Sequence, residues 1–311
     1  MKSLESHPEW PVILDIASVL TKAGFKVVLA GGCVRDGLIG RQAKDLDVAT
    51  DARPEQVEAL FPKVIPVGKS FGVCRVIHKD VDVEVATFRE ESDYTDGRHP
   101  EKIIYSTMEK DAFRRDFTMN GMFYDLVSKE VVDLVGGAED IKKGIIRTVG
   151  EPTHRFSEDH LRLLRGARFS AQLGFKIETQ TRKAMATRAR DLATVSKERI
   201  QEELHKAFQS QSPFSFFETC KELGFLEVLF PNWKWDVQRE LKDYGIQNWS
   251  SWAHLKKQFN QAFEDIDLAW THLGLHASRS GFETGDLKRF YKEMKLSKNS
   301  IERVFKCLSY E

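Results

Sequence analysis

The sequence predicts an α+β fold, in which a mixed sheet in the first half is followed by an all-helical second half. Two observations support this prediction. Before residue 150, short β-branched runs such as VVLA and VEVAT alternate with turn residues, as strands do. After Pro152 the strand signals stop, and apolar residues recur at the 3.6-residue spacing of helices. We therefore expect three domains, at 1–150, 151–210 and 211–311.

Length and composition exclude several classes of protein. The chain has 311 residues, of which 41% are hydrophobic and 30% charged, and this balance is that of a folded globular protein rather than a coiled coil or a disordered chain. No run approaches the roughly 18 consecutive apolar residues of a membrane helix, and the first residues lack the apolar run of a signal peptide, so we expect a cytoplasmic protein. The four cysteines show no CxxC or CxxH spacing, and we expect four small buried thiols.

The elements of the first half are short and follow one another closely. Residues 8–24 have helical spacing and end at Gly24, a typical C-cap. The run FKVVLAGG (25–32) is a predicted strand, VRDGLIGR (34–41) a short helix and DLDVAT (45–50) a second strand. Six further strands are predicted from their sequences: KVIPVG, GVCRVIHK, VDVEVATF, EKIIYST, MFYDL and EVVDLVG.

The net charge is zero, but the charges are unevenly distributed. Residues 1–140 carry 18 Lys and Arg against 25 Asp and Glu, residues 141–206 carry 15 against 8, and residues 207–311 carry 14 of each. A basic segment beside an acidic one favours a polyanionic partner if the acidic segment also holds metal ions. On charge alone, solvated helix faces explain the pattern equally well.

The segment Asp45-Leu46-Asp47-Val48 is the first candidate site. Residues two apart in a strand point to the same side, so both aspartates direct their carboxylates to one place while Leu46 and Val48 face the core. Mg²⁺ usually binds through one or two carboxylates plus substrate phosphates, so the pair suits nucleoside triphosphate chemistry. An exposed strand with alternating acids has the same pattern, and the pair alone does not decide between the two.

A third carboxylate and a phosphate site are predicted nearby. Asp82 and Glu84 point to the same face of VDVEVATF, so their spacing does not choose between them. Gly31 and Gly32 end a strand and precede a short helix, where backbone can approach a phosphate closely. Arg35 lies one turn into that helix and could bind phosphate oxygens. A diglycine turn by itself is more often a tight connection, but beside the paired aspartates it is the pattern of the nucleotidyltransferase fold that polymerase beta also has.

Two further motifs combine cations with hydrogen-bonding groups. In RRDFTMNG, Arg114 and Arg115 supply cations for a triphosphate, Asp116 an acceptor for a ribose hydroxyl, and Asn120 an amide for the sugar or the loop. The same letters could mark a helix start with an N-capping aspartate. The meaning of this motif depends on its neighbours.

The segment EDHLRLLRGARF (158–169) is predicted to be one amphipathic helix with leucines on its opposite face. Four charged residues share one arc of it: Glu158, Asp159, Arg162 and Arg165. Such acid and arginine pairs are ordinarily solvated ion pairs. The functional alternative is that Asp159 and Arg162 present an acceptor and donors to the edge of a base, with Arg168 on a basic surface for an RNA backbone.

Some residues are assigned no function. His272 and His276 are one turn apart but have no carboxylate partner at ligand spacing, so we predict no metal site there. The tryptophans at positions 233, 235, 249 and 252 are predicted to lie in the core of a helical domain rather than to stack on bases.

Seven motifs in order carry a resemblance to a known family. The motifs are GGCVRD, DLD, VEVATFR, DGRHP, RRDFTMNG, DLVGG and EDHLRLLRGARF. By these motifs the chain resembles the class II tRNA nucleotidyltransferases and bacterial poly(A) polymerases over residues 25–180. The resemblance implies a polymerase-beta-like head that binds Mg²⁺, a helical neck that selects CTP or ATP, and a helical body that holds the tRNA acceptor end. We predict no protein partner and no membrane association for this chain.

The resemblance also assigns roles residue by residue. It implies that Asp45 and Asp47 bind the metal ions and favours Glu84 as the third carboxylate, with Asp82 facing solvent. It assigns the triphosphate to Gly31, Gly32 and Arg35, the ribose to Asp116, and the base to Glu158, Asp159 and Arg162. The segment 89–110 corresponds to a loop that helps the enzyme change from CTP to ATP.

Departures from the family pattern leave alternatives open. The segment 67–73, VGKSFGV, lacks the family's His-Gly-Thr and resembles the poly(A) polymerase pattern at Lys69 and Phe71, and Gly121 replaces the usual alanine. A poly(A) polymerase is therefore the second hypothesis, and a non-catalytic RNA-binding protein on the same scaffold is the third. The sequence leaves open the oligomeric state and whether a tail follows residue 311.

Overall fold

The computed structural model describes residues 1–66, 72–94, 97, 100–231, 233–241, 246–279 and 281–309. The chain forms two compact units, Met1–Asp159 and His160–Glu311. The first unit contains a mixed sheet and the second is mostly helical, so the predicted α+β fold is confirmed. The further division near residue 210 into neck and body stays a prediction.

The first unit is built on a seven-stranded sheet. Its strands, in spatial order, are β3 (Val64–Pro66), β4 (Val73–His78), β5 (Val81–Thr87), β2 (Val48–Thr50), β1 (Val27–Ala30), β8 (Met122–Asp125) and β9 (Val131–Asp133). The β2–β5 pair is parallel and the other pairs of this sheet are antiparallel. Two further strands form a separate hairpin, β6 (Arg89–Tyr94) with β7 (Pro100–Tyr105), and β10 is Ile145–Ile146.

Helices cover the sheet because both of its faces are apolar. The helices of the first unit are α1 (Lys2–Glu5), α2 (Trp10–Lys22), α3 (Gly32–Ile39), α4 (Pro54–Leu60), α5 (Met108–Phe113), α6 (Gly137–Lys143) and α7 (Pro152–Glu158). On β1, Val27 and Leu29 belong to one core cluster, whereas Val28 and Ala30 belong to another. This alternation is the period of two that a strand imposes on its side chains. The predicted helix at 8–24 is confirmed as α2, and Gly24 after it has a φ of +87°.

The second unit contains nine α-helices among the described residues and an aromatic core. They are α8 (Leu161–Leu173), α9 (Thr179–Thr187), α10 (Lys197–Phe208), α11 (Pro213–Glu222), α12 (Leu226–Leu229), α13 (Ser251–Gln258), α14 (Ile266–Arg279), α15 (Thr284–Glu293) and α16 (Lys298–Leu308). Trp233 and Trp235 are buried in this core, as predicted, and the side chain of Trp249 lies outside the described part. His276 is buried too, where desolvation lowers the pKa of its imidazole to about 4.

Two details of the second half differ from the predictions. The second half is not entirely helical, because β12 (Gln238–Leu241) pairs with β13 (Ile246–Ser250), and Lys176–Ile177 forms the short strand β11. These segments are short and polar, so they lack the β-branched pattern from which strands are predicted. Cys33, Cys74 and Cys220 are buried, but Cys307 is exposed on α16, so the prediction of four buried thiols is wrong there. No helix in the described ranges is long and apolar enough to span a membrane.

Candidate active site

The paired aspartates lie immediately before β2 rather than inside it. Leu46 and Val48 are buried, Asp47 is half-buried and Asp45 is exposed, so the predicted alternation of sides holds although the regular strand starts only at Val48. The carbonyl oxygen of Asp47 accepts a 3.0 Å hydrogen bond from the backbone N–H of Ala30. Asp47 therefore lies opposite Ala30, the last residue of β1, and the diglycine turn begins at the next residue.

The parallel pairing of β2 with β5 sets Glu84, and not Asp82, level with Asp47. Val48 lies opposite Val85, so the residues that precede them, Asp47 and Glu84, are level with each other. Asp82 instead accepts a hydrogen bond from Arg75 on β4. Burial, together with the charges of Glu84 and Asp45, raises the pKa of the Asp47 carboxyl to about 6, although Arg115 acts in the opposite direction. These contacts favour Glu84 over Asp82, and its catalytic role stays a prediction.

The donor set of this site fits a divalent cation. No group of three or more histidine, cysteine or acidic side chains with metal-binding geometry occurs in the described ranges. Mg²⁺ does not require such a group, since it commonly binds one or two carboxylates and takes its other oxygens from water and phosphate. Burial is the main cause of the raised pKa of Asp47, and the charges of Glu84 and Asp45 act in the same direction, so a bound cation would favour the ionised carboxylate.

Gly31 has a left-handed backbone conformation that favours glycine, and it lies against an arginine. Its φ is +76°, which L side chains rarely adopt, and a Cβ there would lie 2.8 Å from Nη1 of Arg115. Gly32 is the first residue of α3. The absence of a side chain at Gly31 thus lets the Arg115 guanidinium lie against the diglycine turn. A Cβ at Gly121 would lie 2.7 Å from Cγ2 of Val135, so glycine also suits that position.

Arg35 forms part of a buried polar chain. Its Nη1 donates to Oδ1 of Asn120 at 2.7 Å and its Nε to Oδ1 of Asp36 at 2.9 Å. The Nδ2 of Asn120 in turn donates to Oδ1 of Asp116 at 3.0 Å. Through this chain Arg35 joins α3 to the RRD motif. A direct contact of Arg35, Asn120 or Asp116 with nucleotide stays a prediction.

A residue that sequence reasoning missed holds both arginines of this motif. The buried carboxylate of Asp111 accepts hydrogen bonds from Arg114 at 2.7 and 2.9 Å on Oδ1, and from Arg115 at 2.9 and 3.0 Å on Oδ2. Burial would raise the pKa of Asp111, but the charges and hydrogen bonds of the two arginines outweigh it and hold the pKa below its ordinary value. The spacings i, i+3 and i, i+4 could have revealed this clamp.

The predicted single helix over 158–169 is wrong. Helix α7 ends at Glu158, Asp159 has an extended backbone with a φ of −142°, and α8 begins at Leu161. Glu158 and Arg162 therefore belong to two different helices, so they do not share one arc. The apolar face of the predicted helix is confirmed on α8, where the leucines at 161, 163 and 164 are buried. Arg162 is buried as well.

Arg168 does not lie on a surface for RNA. It is buried, and its guanidinium bonds to Glu203 on α10 and, at 2.6 Å, to Gln172. Arg165 is half-buried, with Nη1 4.0 Å from the same glutamate. The buried carboxylate of Glu203 needs a positive charge beside it, and Arg168 supplies that charge from inside the protein. The proposed role of Arg165 toward nucleotide stays a prediction.

Several of these side chains line one cavity of the first unit. Its volume is about 500 Å³, and its lining includes Glu91, Thr107, Lys110, Arg114, Arg155 and Glu158. Arg114 also donates to Glu91 at 3.1 Å. A residue proposed to select the base and a residue proposed to hold the triphosphate thus face the same space, and that space is large enough for part of a nucleotide.

The comparisons with known proteins agree with this arrangement. A family model described as the poly A polymerase head domain matches residues 27–147, and one described as a probable RNA and SrmB-binding site of polymerase A matches residues 174–236. A CCA-adding enzyme of Leuconostoc mesenteroides is 38% identical over 299 residues, which are 94% of this chain and 69% of that protein. The chain belongs to the CCA-adding enzyme family.

A solved structure of the family has the same fold. The Bacillus stearothermophilus CCA-adding enzyme in complex with CTP matches 98% of this chain and 70% of its own, with a TM-score of 0.79 and 31% identity. A Geobacillus thermodenitrificans family member is 44% identical over 200 residues, which are 49% of its length. The chain thus spans about half of that relative and about two thirds of the Leuconostoc one. The predicted resemblance to nucleotidyltransferases of this family is confirmed.

Some family motifs lie outside the described residues. This applies to residues 67–71, with Lys69 and Phe71, and to residues 95, 96, 98 and 99 of the predicted loop and its DGRHP motif. The predicted role of 89–110 in the change from CTP to ATP stays a prediction. The described parts of that segment include the β6–β7 hairpin and the start of α5.

Proposed function

We propose that this chain adds nucleotides to the 3′ end of an RNA and that it rebuilds CCA on tRNA from CTP and ATP. The observation that carries the proposal is the strand register that sets Glu84 level with Asp47, beside the diglycine turn that follows β1. Membership of the CCA-adding enzyme family supports it, and so does the CTP bound by the Bacillus stearothermophilus enzyme.

The first unit supplies the groups that hold the reacting parts. Asp45 and Asp47 would hold the metal ion, which we take to be Mg²⁺. When bound, such an ion makes a hydroxyl more acidic and neutralises charge on a triphosphate. Arg115 is fixed by Asp111 against Gly31, where its cation can bind phosphate oxygens. The clamp keeps the guanidinium in place before substrate arrives, which reduces the reorganisation that binding requires.

Base selection is assigned to the residues around the end of α7. The carboxylates of Glu158 and Asp159 accept hydrogen bonds and the guanidinium of Arg162 donates them. Cytosine and adenine both carry an exocyclic amino group that donates, whereas uracil presents a carbonyl at the corresponding position. A site that presents a fixed acceptor to that amino group would therefore favour CTP and ATP over UTP.

The test is incorporation of labelled CTP and ATP into tRNA transcripts that lack CCA, with product length read on a gel. We expect the wild-type chain to add three nucleotides and Asp47→Ala to lose at least about 100-fold in rate. The matched control is Asp82→Ala, which removes an acid that pairs with Arg75 and should stay within about twofold.

Each alternative outcome has a distinct meaning. An unbounded adenylate tract would identify a poly(A) polymerase, and RNA retention without incorporation would identify a non-catalytic RNA-binding protein. Near-normal incorporation by Asp47→Ala would contradict the assignment of the metal site.

A further inference from the structure

Arg155 bonds to several groups that belong to separate parts of the first unit. Its Nε donates to the carbonyl of Val149 at 3.1 Å, and its Nη2 donates to the carbonyl of Phe113 at 2.6 Å. Its Nη1 donates to the carbonyl of Arg114 at 3.3 Å and to Oε2 of Glu158 at 2.7 Å. The side chain is 12% exposed. One guanidinium therefore bonds to three backbone carbonyls and one carboxylate.

Two of the carbonyls that Arg155 binds lie at the C-terminal end of α5. Phe113 is the last residue of α5 and Arg114 is its C-cap, where backbone carbonyls lack partners inside the helix. A cation at a helix C-terminus is favourable for that reason and because it offsets the helix dipole. The same backbone continues directly into Arg115 and Asp116. The position of Arg155 thus fixes the entry of the chain into the RRD motif.

The carboxylate on the other side of Arg155 belongs to the base-selecting end of α7. Glu158 is the last residue of that helix, one turn after Arg155. Its other oxygen, Oε1, lies 3.4 Å from Nδ1 of His154, whose side chain is 73% exposed. Because the imidazole is exposed, this pair restrains the Glu158 carboxylate only weakly. Arg155 is therefore the stronger restraint of the two on the Glu158 carboxylate.

We propose that Arg155 is a positioning residue that sets Glu158 relative to the backbone of the RRD motif, and so joins base selection to triphosphate binding. The inference rests on the proposed function, because it concerns the accuracy of that reaction. The planar guanidinium is suited to the role because its donors point in fixed directions. A lysine ammonium keeps the charge, but its three donors all lie on one nitrogen, so it cannot reproduce the contacts that Nε, Nη1 and Nη2 make with three separated carbonyls.

The test is Arg155→Lys, assayed for kcat and KM with CTP, ATP, UTP and GTP on tRNA that lacks CCA. We expect the preference for CTP and ATP over UTP and GTP to fall about tenfold, mainly through KM for the correct nucleotides, while kcat changes less than about threefold. The matched control is Arg303→Lys, which alters an exposed arginine paired with Asp265 and Asp267 in the other unit. This control should keep the wild-type preference.

A second variant tests the Arg155–Glu158 contact from its carboxylate side. Glu158→Gln leaves the three hydrogen bonds from Arg155 to backbone carbonyls in place but removes the carboxylate charge that Arg155 positions. We expect Glu158→Gln to lose the same preference. In the double variant the two losses should not add, because both substitutions break the same Arg155–Glu158 contact. Circular dichroism and thermal melting check that the variants are folded.

Two results would overturn the inference. An active Arg155→Lys with the wild-type preference would do so, as would an equal loss of kcat for all four nucleotides with the preference unchanged, which is the behaviour of a purely structural arginine. Absence of incorporation by the wild-type chain would instead overturn the proposed function and the inference with it.

Discussion

The clamp on Asp111 gives a prediction that can be worked out in detail. Asp111→Asn keeps the size of the side chain but removes the charge that two arginines share. The carboxylate is only 2% exposed and accepts four hydrogen bonds from Arg114 and Arg115. Breaking a buried ion pair from one side costs about 3–5 kcal/mol, and we expect about 3 kcal/mol because both arginines retain some contact with water.

The effect of pH on this loss has a definite sign. The pKa of Asp111 in the folded protein lies below its ordinary value of 3.8. The stability that its ionised form contributes is therefore complete about one pH unit above that ordinary value and is lost as the pH falls through the folded pKa. The difference in the free energy of unfolding between wild type and Asp111→Asn should be largest at about pH 5 to 7. This range begins about one pH unit above the ordinary pKa of an aspartate carboxyl. It should shrink below pH 4.

Hydrogen exchange followed by mass spectrometry measures this loss of stability within the first structural unit, where Asp111 lies. Peptides that cover residues 108–116 report the free energy of opening of α5 and the RRD motif. The matched control is Glu109→Gln, an exposed acid on the same helix, which should change little. A loss below about 1 kcal/mol at pH 7, or a loss that does not shrink in acid, would refute the reasoning.

Two further predictions concern nucleotide choice and thiol reactivity. Arg162→Ala should erode discrimination of CTP and ATP against GTP and UTP more than it slows incorporation, and steady-state kinetics with each nucleotide would show unchanged fidelity if this is wrong. In the native protein Cys307 should react quickly with a thiol reagent while Cys33, Cys74 and Cys220 react only after unfolding, because they are buried. Mass spectrometry of the modified peptides identifies the fast site, and fast labelling of Cys33 would contradict the packing described here.

Much of the first unit could be predicted from the sequence. The alternation of Leu46 and Val48 with Asp45 and Asp47 predicted which side chains face the core, and the structure confirms it even where the regular strand has not yet begun. Helix α2 and most strands of the sheet were likewise predicted from their periodicity. Such patterns are local, since they depend on neighbours two to four residues away.

The tertiary structure decided which charges meet. Strand register sets Glu84 level with Asp47, a choice that the equal spacing of Asp82 and Glu84 left open. A break after Glu158 divides the predicted helix between α7 and α8, and burial pairs Arg168 with Glu203.

The contacts of Arg155 depend on the fold in the same way. Phe113 and Arg114 precede it by 42 and 41 residues, so its carbonyl partners cannot be derived from local spacing. Periodicity thus determined which side chains face the core. Pairing across strands and burial determined which charged groups make contact. A buried charge is stable only beside a group of opposite charge, and the fold can bring that group from any part of the chain.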